Sequence, residues 1–350
     1  MKRSLLAVLI LLATSAGAQR IDQTAALKRY ASKVLPKCPG STVGLEAMNG
    51  GPSGFMTYSV TLKSDDPSCG AQRHLVFSPK SQQILIGTIV PLPPDDRPAH
   101  IRISEQSSKL LKKDHKAIVA PFPLPDGVKS VAITRETAWG AFSYQAFLDA
   151  SEKFMIVGYR GLLSRDPALS LRESIGAGSA ARRGNTAGVE VIEISDFQCP
   201  SCANAHHKIE PLIQKNLSKI NYIRIDLPLF ENHEWSIPAA LGARAIQRVA
   251  PAKYWQYVDY VFKNQESIGR RPFDQLLREY CADNDIDWSA VQKFYASKAE
   301  RQALLDQVSR IFATGVASTP TFMVNGQIVA FGPDGAVAID AIKAAVAAKK

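Results

Sequence analysis

Apolar residues recur on one helical face at Ile21, Ala25, Leu27, Ala31 and Val34, which predicts a helix over residues 21–35 closed by Pro36. Three runs rich in β-branched and aromatic residues follow, over 55–62, 74–77 and 83–90, and read as strands, with Asp65-Asp66-Pro67-Ser68 as a turn. Pro91-Leu92-Pro93-Pro94 breaks the pattern. A second helix is predicted over 99–113, then strands over 128–134, 141–148 and 154–158. Helix then three strands thus occurs twice, the pattern of an internal duplication, although few residues match between the copies. The first domain is α+β over 19–162.

Residues 163–187 read as a linker. Asp166 to Arg172 suits a helical turn, and Gly176 to Gly188 is rich in small and polar residues and predicted to be flexible. From Val189 the pattern changes to α/β. A strand at 189–194 leads into a helix reaching about 217, and a second strand spans 220–227. Tyr254, Val258, Val261 and Phe262 then share one helical face; helices are predicted over 271–283 and 288–296; Leu304, Val308, Ile311 and Phe312 repeat the spacing before Gly315. Thr321–Val324 and Ile328–Phe331 flank Asn325-Gly326, a hairpin signal, and a last helix covers 336–348. This is the order of a thioredoxin-type sheet at 188–350 with a helical domain inserted at about 233–313.

Residues 1–18 stand apart. Lys2 and Arg3 precede a short apolar run, Leu5 to Ala13, and Ala16-Gly17-Ala18 is a small-x-small cleavage site, so the mature chain is expected to begin at Gln19 in the periplasm or outside the cell. Disulfides persist there. Of the five cysteines, Cys38 and Cys69 are candidates for a structural bridge, which would contribute roughly 3–4 kcal/mol by loop closure. Cys281 lies on an apolar helix face and reads as a core thiol. The formal charge of +10 becomes +8 without Lys2 and Arg3 (40 basic, 32 acidic), but no basic block appears, so nucleic acid is not an expected partner.

Cys199 and Cys202 form a Cys-x-x-Cys pair where a strand gives way to a helix. A thiolate, not a thiol, attacks a disulfide, and the unpaired N–H groups of a helix N-terminus stabilise the anion. Pro200 suits the first helical position. Cys199 is therefore the expected exposed nucleophile, and Cys202, one turn in, the shielded resolving thiol. Zinc, with His206 and His207 nearby, and a purely structural disulfide are the alternatives. A single cysteine pair and the proline at the helix start favour redox chemistry, with no metal and no organic cofactor. The two histidines then read as solvated helix residues.

Residues from about 188 to 350 resemble the DsbA-like thioredoxin-fold thiol–disulfide oxidoreductases. The likeness rests on Val191-x-Glu193-x-Ser195-Asp196-Phe197-x-Cys199-Pro200-x-Cys202 and on Gly315-Val316-x-Ser318-Thr319-Pro320-Thr321-Phe322-x-Val324-Asn325-Gly326. Ala239-Ala240-x-x-Ala243-x-Ala245 with Tyr254-Trp255 resembles the inserted helices. The resemblance implies a cis Thr319–Pro320 bond packed against Cys199. It also implies substrate contacts at Thr319, Pro320, Pro200 and Ser201, and proton transfer to and from Cys202 by Glu193. Protein substrates bearing cysteines and a membrane or periplasmic redox partner are the implied partners. The intervening dipeptide is Pro-Ser, without the histidine of the best-known oxidase, so one cationic stabiliser of the thiolate is missing. Thr319 and the presence of an extra N-terminal domain are shared with disulfide isomerases of the DsbC kind. An isomerase or reductase, a homodimer through residues 19–162, and a chaperone or binding module are therefore the alternatives.

Overall fold

The computed structural model describes residues 23–36, 38, 40–64 and 71–349. The expected signal peptide and Cys69 lie outside the described residues. Two sheets organise the chain. The first has eight strands in the order β1-β2-β3-β4-β8-β7-β6-β5, all neighbours antiparallel. They are β1 (Thr42–Ala47), β2 (Met56–Lys63), β3 (Ala71–Phe77), β4 (Gln83–Pro91), β5 (Lys116–Val119), β6 (Lys129–Thr137), β7 (Gly140–Leu148) and β8 (Phe154–Leu162). Helix α1 (residues 23–34) precedes β1, and α2 (Ala99–Leu111) precedes β5.

The repeat is therefore a helix and four strands, not a helix and three. The two copies meet where β4 pairs with β8, and their order mirrors about that seam. The strands that hydrophobic patterning misses are β1 and β5, the outer edges. No residue of β1 is buried, and only Ala117 of β5 is. An edge strand has only one neighbour and need not carry the apolar alternation that marks a strand in sequence. At the seam Gly87 faces Gly158. A Cβ on Gly87 would lie 1.9 Å from the Val157 carbonyl oxygen, and one on Gly158 1.9 Å from that of Ile86. Backbone fills the space a side chain would need.

The second sheet runs β13-β12-β10-β11-β9. Its strands are β9 (Ala181–Gly184), β10 (Val189–Ser195), β11 (Ile220–Asp226), β12 (Thr321–Val324) and β13 (Gln327–Val329). β10 and β11 are parallel, joined by α4 (Pro200–Lys215), while β9, β12 and β13 are antiparallel to their neighbours. On one face, Ile209 and Ile213 of α4 and Ile342 of α10 (Ala336–Ala348) pack over Val191, Tyr222 and Phe322. On the other, Ile192, Ile194, Ile223 and Ile225 meet α5 (Ser236–Val249) and α9 (Lys298–Ala313). All seven residues of β11 are buried, as a central parallel strand covered on both faces should be. Helices α6 (Tyr254–Lys263), α7 (Phe273–Asp283) and α8 (Trp288–Tyr295) complete the insertion. This is the expected thioredoxin-type sheet with inserted helices. Asn325 and Gly326 both have positive φ, 47° and 78°, as a two-residue primed hairpin turn requires. Cys281 is fully buried and unpaired, a core thiol as expected.

One expectation is corrected. The supposed flexible linker 163–187 is structured: α3 (Pro167–Ser174) is capped by Asp166, and β9 joins the sheet beside β11. Leu171, Ile175 and Ala177 are buried in the same core as Ile223 and Ile225. β9 reads Ala-Arg-Arg-Gly because it is an edge: Ala181 is buried, Arg182 is exposed, and Arg183 pairs with Glu210 and stacks over Trp255. The first domain is also docked tightly against the second. Phe142 of β7 sits in a core with Leu304, Val308 and Ile311 of α9, edge-on to Phe312 and Phe230. Gln302 Nε2 donates to the Ala141 carbonyl at 2.8 Å, and Arg135 and Lys113 both pair with Glu231.

Gly158→Ala should lower stability by about 1–3 kcal/mol, the range for forcing volume into a packed site, read as a lower urea midpoint. The same change at the open Gly178, where nothing lies within 4 Å of a built Cβ, should leave the midpoint nearly unchanged.

Candidate active site

Strand β10 ends at Ser195, and the chain turns sharply through Asp196-Phe197-Gln198 before α4 begins. Cys199 is the helix cap, in extended conformation, and Pro200 is the first helical residue. The Cys199 carbonyl accepts from the N–H groups of Cys202 (3.0 Å) and Ala203 (3.2 Å). The turn is pinned by Asp196, whose buried carboxylate accepts from Gln198 N and Leu229 N, both at 2.8 Å, and from His233 Nδ1 at 2.6 Å. Gln265, from the loop after α6, donates through Nε2 to the carbonyls of Phe197 (2.8 Å) and Cys199 (3.0 Å). The helical insertion thus fixes the backbone that presents the first sulfur.

The two sulfurs are unpaired and differ in surroundings. Cys199 is 8 % exposed and Cys202 not at all. The expected exposed nucleophile is thus largely covered, because the loop 318–320 lies over it. The Thr319–Pro320 bond is cis, and Cys199 Sγ donates to the Thr319 carbonyl at 3.5 Å. Cys199 is lowered to about 5, chiefly by its hydrogen bonding with Cys202 and further by the N–H groups of Cys202 and Ser201, against the cost of burial. Cys202 is pushed well above the ordinary thiol range by burial, its bond to Cys199 and the Cys199 charge. Pro200 and Ser201 are exposed at the helix start, Thr319 is half-buried and Pro320 buried.

Glu193 is buried on β10, and its Oε2 accepts from the Tyr222 hydroxyl. Its Oε1 has no hydrogen-bond partner among the described residues. Its Cα partner across the sheet is Arg224, which is buried, paired with Asp226 and placed 3.9 Å from the Phe197 ring centroid. Two groups at Cys202 escaped sequence reading. The Asp196 N–H donates to Cys202 Sγ at 3.4 Å, and Ser195, whose hydroxyl has no hydrogen-bond partner among the described residues, offsets a small part of the upward shift of Cys202. Ser195 lies two residues beyond Glu193, hence on the same strand face, a signal available in the sequence. Gln265 had none, because its reach depends on how the helices pack. His206 is not a solvated residue: it is buried, its Nε2 2.6 Å from Asp259 Oδ1 and its ring against Phe262. His207 is exposed. Cys38 is buried and disulfide-bonded, while Cys69, its expected partner, lies outside the described residues.

The family model described as Thioredoxin matches residues 179–348. The chain is 30 % identical over 141 residues to Na(+)/H(+) antiporter NhaA 3 of Salinispora tropica, across 40 % of this chain and 21 % of that protein. It is 24 % identical over 151 residues to Disulfide bond formation protein D of Bacillus subtilis, across 41 % of this chain and 66 % of that one. The chain thus spans about a fifth of the antiporter's length and just under two thirds of the Bacillus protein's. The thiol-disulfide exchange protein alpha-DsbA2 of Wolbachia pipientis aligns with a TM-score of 0.43 at 20 % identity, over 51 % of this chain and 92 % of that one.

The pH dependence of alkylation checks the asymmetry. Modification of Cys199 by iodoacetamide, followed by mass spectrometry, should rise with a midpoint near 5; a midpoint near the ordinary 9.0 would contradict the assignment. Because Cys199 is depressed in the folded state, its contribution to the reduced protein's stability is complete above about 9 and lost as pH falls through about 5. Cys202, shifted the other way, adds pH dependence only above the ordinary thiol range.

Proposed function

We propose that the chain is an exported thiol–disulfide oxidoreductase acting on cysteine-containing proteins, a reading that the match of residues 179–348 to the family model described as Thioredoxin supports. The observation that carries this is the pair of sulfurs in one helical turn, one lowered to about 5 and partly accessible, the other buried and raised. In the oxidising direction a client thiolate attacks Cys199 Sγ of the Cys199–Cys202 disulfide, and the electron pair leaves on Cys202. A second client thiolate then attacks the client sulfur of the mixed disulfide and releases the Cys199 thiolate. The client gains a disulfide, the enzyme is left as a dithiol, and a membrane or periplasmic redox partner reoxidises it. Cys199 is the better leaving thiolate because hydrogen bonds already stabilise its charge.

Glu193 is assigned the proton that Cys202 gains and loses. Its Oε1 is free of protein partners, and it shares a strand face with Ser195, which meets Cys202. Thr319 and Pro320 cover Cys199 and would flank a client chain, with Pro200 and Ser201 on the open side. The leader at 1–18 and the disulfide at Cys38 support export to an oxidising compartment.

Cys199→Ser should abolish oxidation of a reduced client and rescue of a scrambled one; full activity in that variant would sink the assignment. Client binding that survives loss of both cysteines, with no turnover to lose, would favour a chaperone. A Cys199 value between those of strong oxidants and thioredoxin, roughly 3.5 and 7, supports an intermediate potential, and the measured potential decides the direction. The reduction potential should fall between about −120 and −270 mV in a glutathione titration, and a value below the lower limit would mark a reductase.

A further inference from the structure

A cavity of about 600 Å³ opens beside the cis proline, within the range of roughly 300–1,000 Å³ typical of ligand clefts. One wall belongs to the thioredoxin domain. It includes Ser201 of the redox helix, Thr319 and Pro320, and runs on to Ile328 and Phe331. The opposite wall comes from the N-terminal domain: Leu35 and Pro36 after α1, Ala71 and Arg73 of β3, and Ile86 of β4. The wall is held in place by hydrogen bonds across the gap. Gln327 Nε2, on β13, donates to the carbonyls of Ser32 (3.2 Å) and Leu35 (3.1 Å) at the end of α1. Arg73 Nη2 donates to the Gly315 carbonyl at 3.1 Å. Gly315 has φ +88°, and a Cβ there would stand 3.1 Å from Arg73 Nε, so glycine permits this approach.

We propose that the N-terminal domain is the outer wall of the client groove, taking up the apolar residues that flank the reacting cysteine of an extended, non-native polypeptide. This deepens the exchange function and rests on it. The cavity is continuous with the redox site, since Ser201, Thr319 and Pro320 border both. A chain delivering its sulfur to Cys199 therefore enters it. The lining is mixed: Leu35, Pro36, Ala71 and Ile86 on one side face Ile328 and Phe331 on the other, with the serines and threonines of 314–321 between them, and its apolar part favours residues that a folded client keeps in its own core. Two facing walls admit one extended strand and exclude a folded surface. Arg73 is the single charged residue among those lining the cavity. Lysine or arginine beside the client cysteine is disfavoured there, and acidic or apolar neighbours are accepted.

The test uses the full chain as Cys202→Ala, which traps the mixed disulfide. A short peptide carries its cysteine activated as a thionitrobenzoate disulfide, with a benzophenone-bearing residue two positions away. The Cys199 thiolate attacks the peptide sulfur, thionitrobenzoate leaves, and light cross-links the flanking residue to whatever wall it touches. Cross-links mapped to residues 34–36 or 71–86 are expected. Cross-links confined to 197–202 and 314–332 would overturn the proposal while leaving exchange intact. Failure to form the mixed disulfide would instead overturn the exchange function and this proposal with it. In the otherwise native chain, Ala71→Trp and Pro36→Glu change the wall at half-buried positions. For whichever variant keeps its native circular dichroism, the oxidation rate of a reduced unfolded client should fall about tenfold relative to that of glutathione. An unchanged ratio would count against the wall.

Discussion

The structure depends on two sulfurs held one helical turn apart in different surroundings. Cys199 caps α4, where unpaired N–H groups meet a developing thiolate, and Cys202 is carried inside by the same turn. The asymmetry needs a backbone that cannot relax. Asp196 clamps the turn before the helix, Gln265 ties down the carbonyls on either side of Gln198, and Thr319 closes the front. Each group comes from a different part of the chain. The helical insertion thus supports the redox turn as well as adding surface, and the pair His206–Asp259 joins α4 to α6 a turn further along.

Beneath that turn lies a set of buried charges. Glu193, Arg224 and Asp226 sit on adjacent strands, and Phe197 and Tyr222 complete the packing around them. Buried ion pairs contribute little net stability once desolvation is counted, and removing one member leaves an uncompensated charge. Such a cluster adds little to fold stability and is compatible with the proton role proposed for Glu193. A carboxylate oxygen without a protein partner in that setting fits the same role.

The N-terminal domain changes how the redox site is approached. Its sheet is a mirrored repeat closed at Gly87 and Gly158, and its β7 and α1 are built into the thioredoxin half through Phe142 and Gln327. The domain order and most elements were legible in sequence: α1, α2, six of the eight strands, and the order of the second half. The elements that patterning missed, β1, β5 and β9, are all edges. An edge strand buries little, so its side chains are not selected for alternation, and only its neighbour's hydrogen bonds reveal it. The docking of the halves was illegible for a related reason. Phe142 looks like any core residue of its own strand, and nothing local says that its core belongs to α9.

By itself the sequence determined the chemistry that could occur: two cysteines at the required helical spacing, a proline that starts the helix, a Thr-Pro loop and an Asn-Gly turn. These are local features, set by backbone geometry within a few residues. Tertiary structure alone decided how that chemistry is tuned. The Cys199 value of about 5, the burial of His206 and the cavity between the two domains all arise from groups far apart in the chain. Desolvation and hydrogen bonding depend on what surrounds a group in space, and the order of residues does not state that directly.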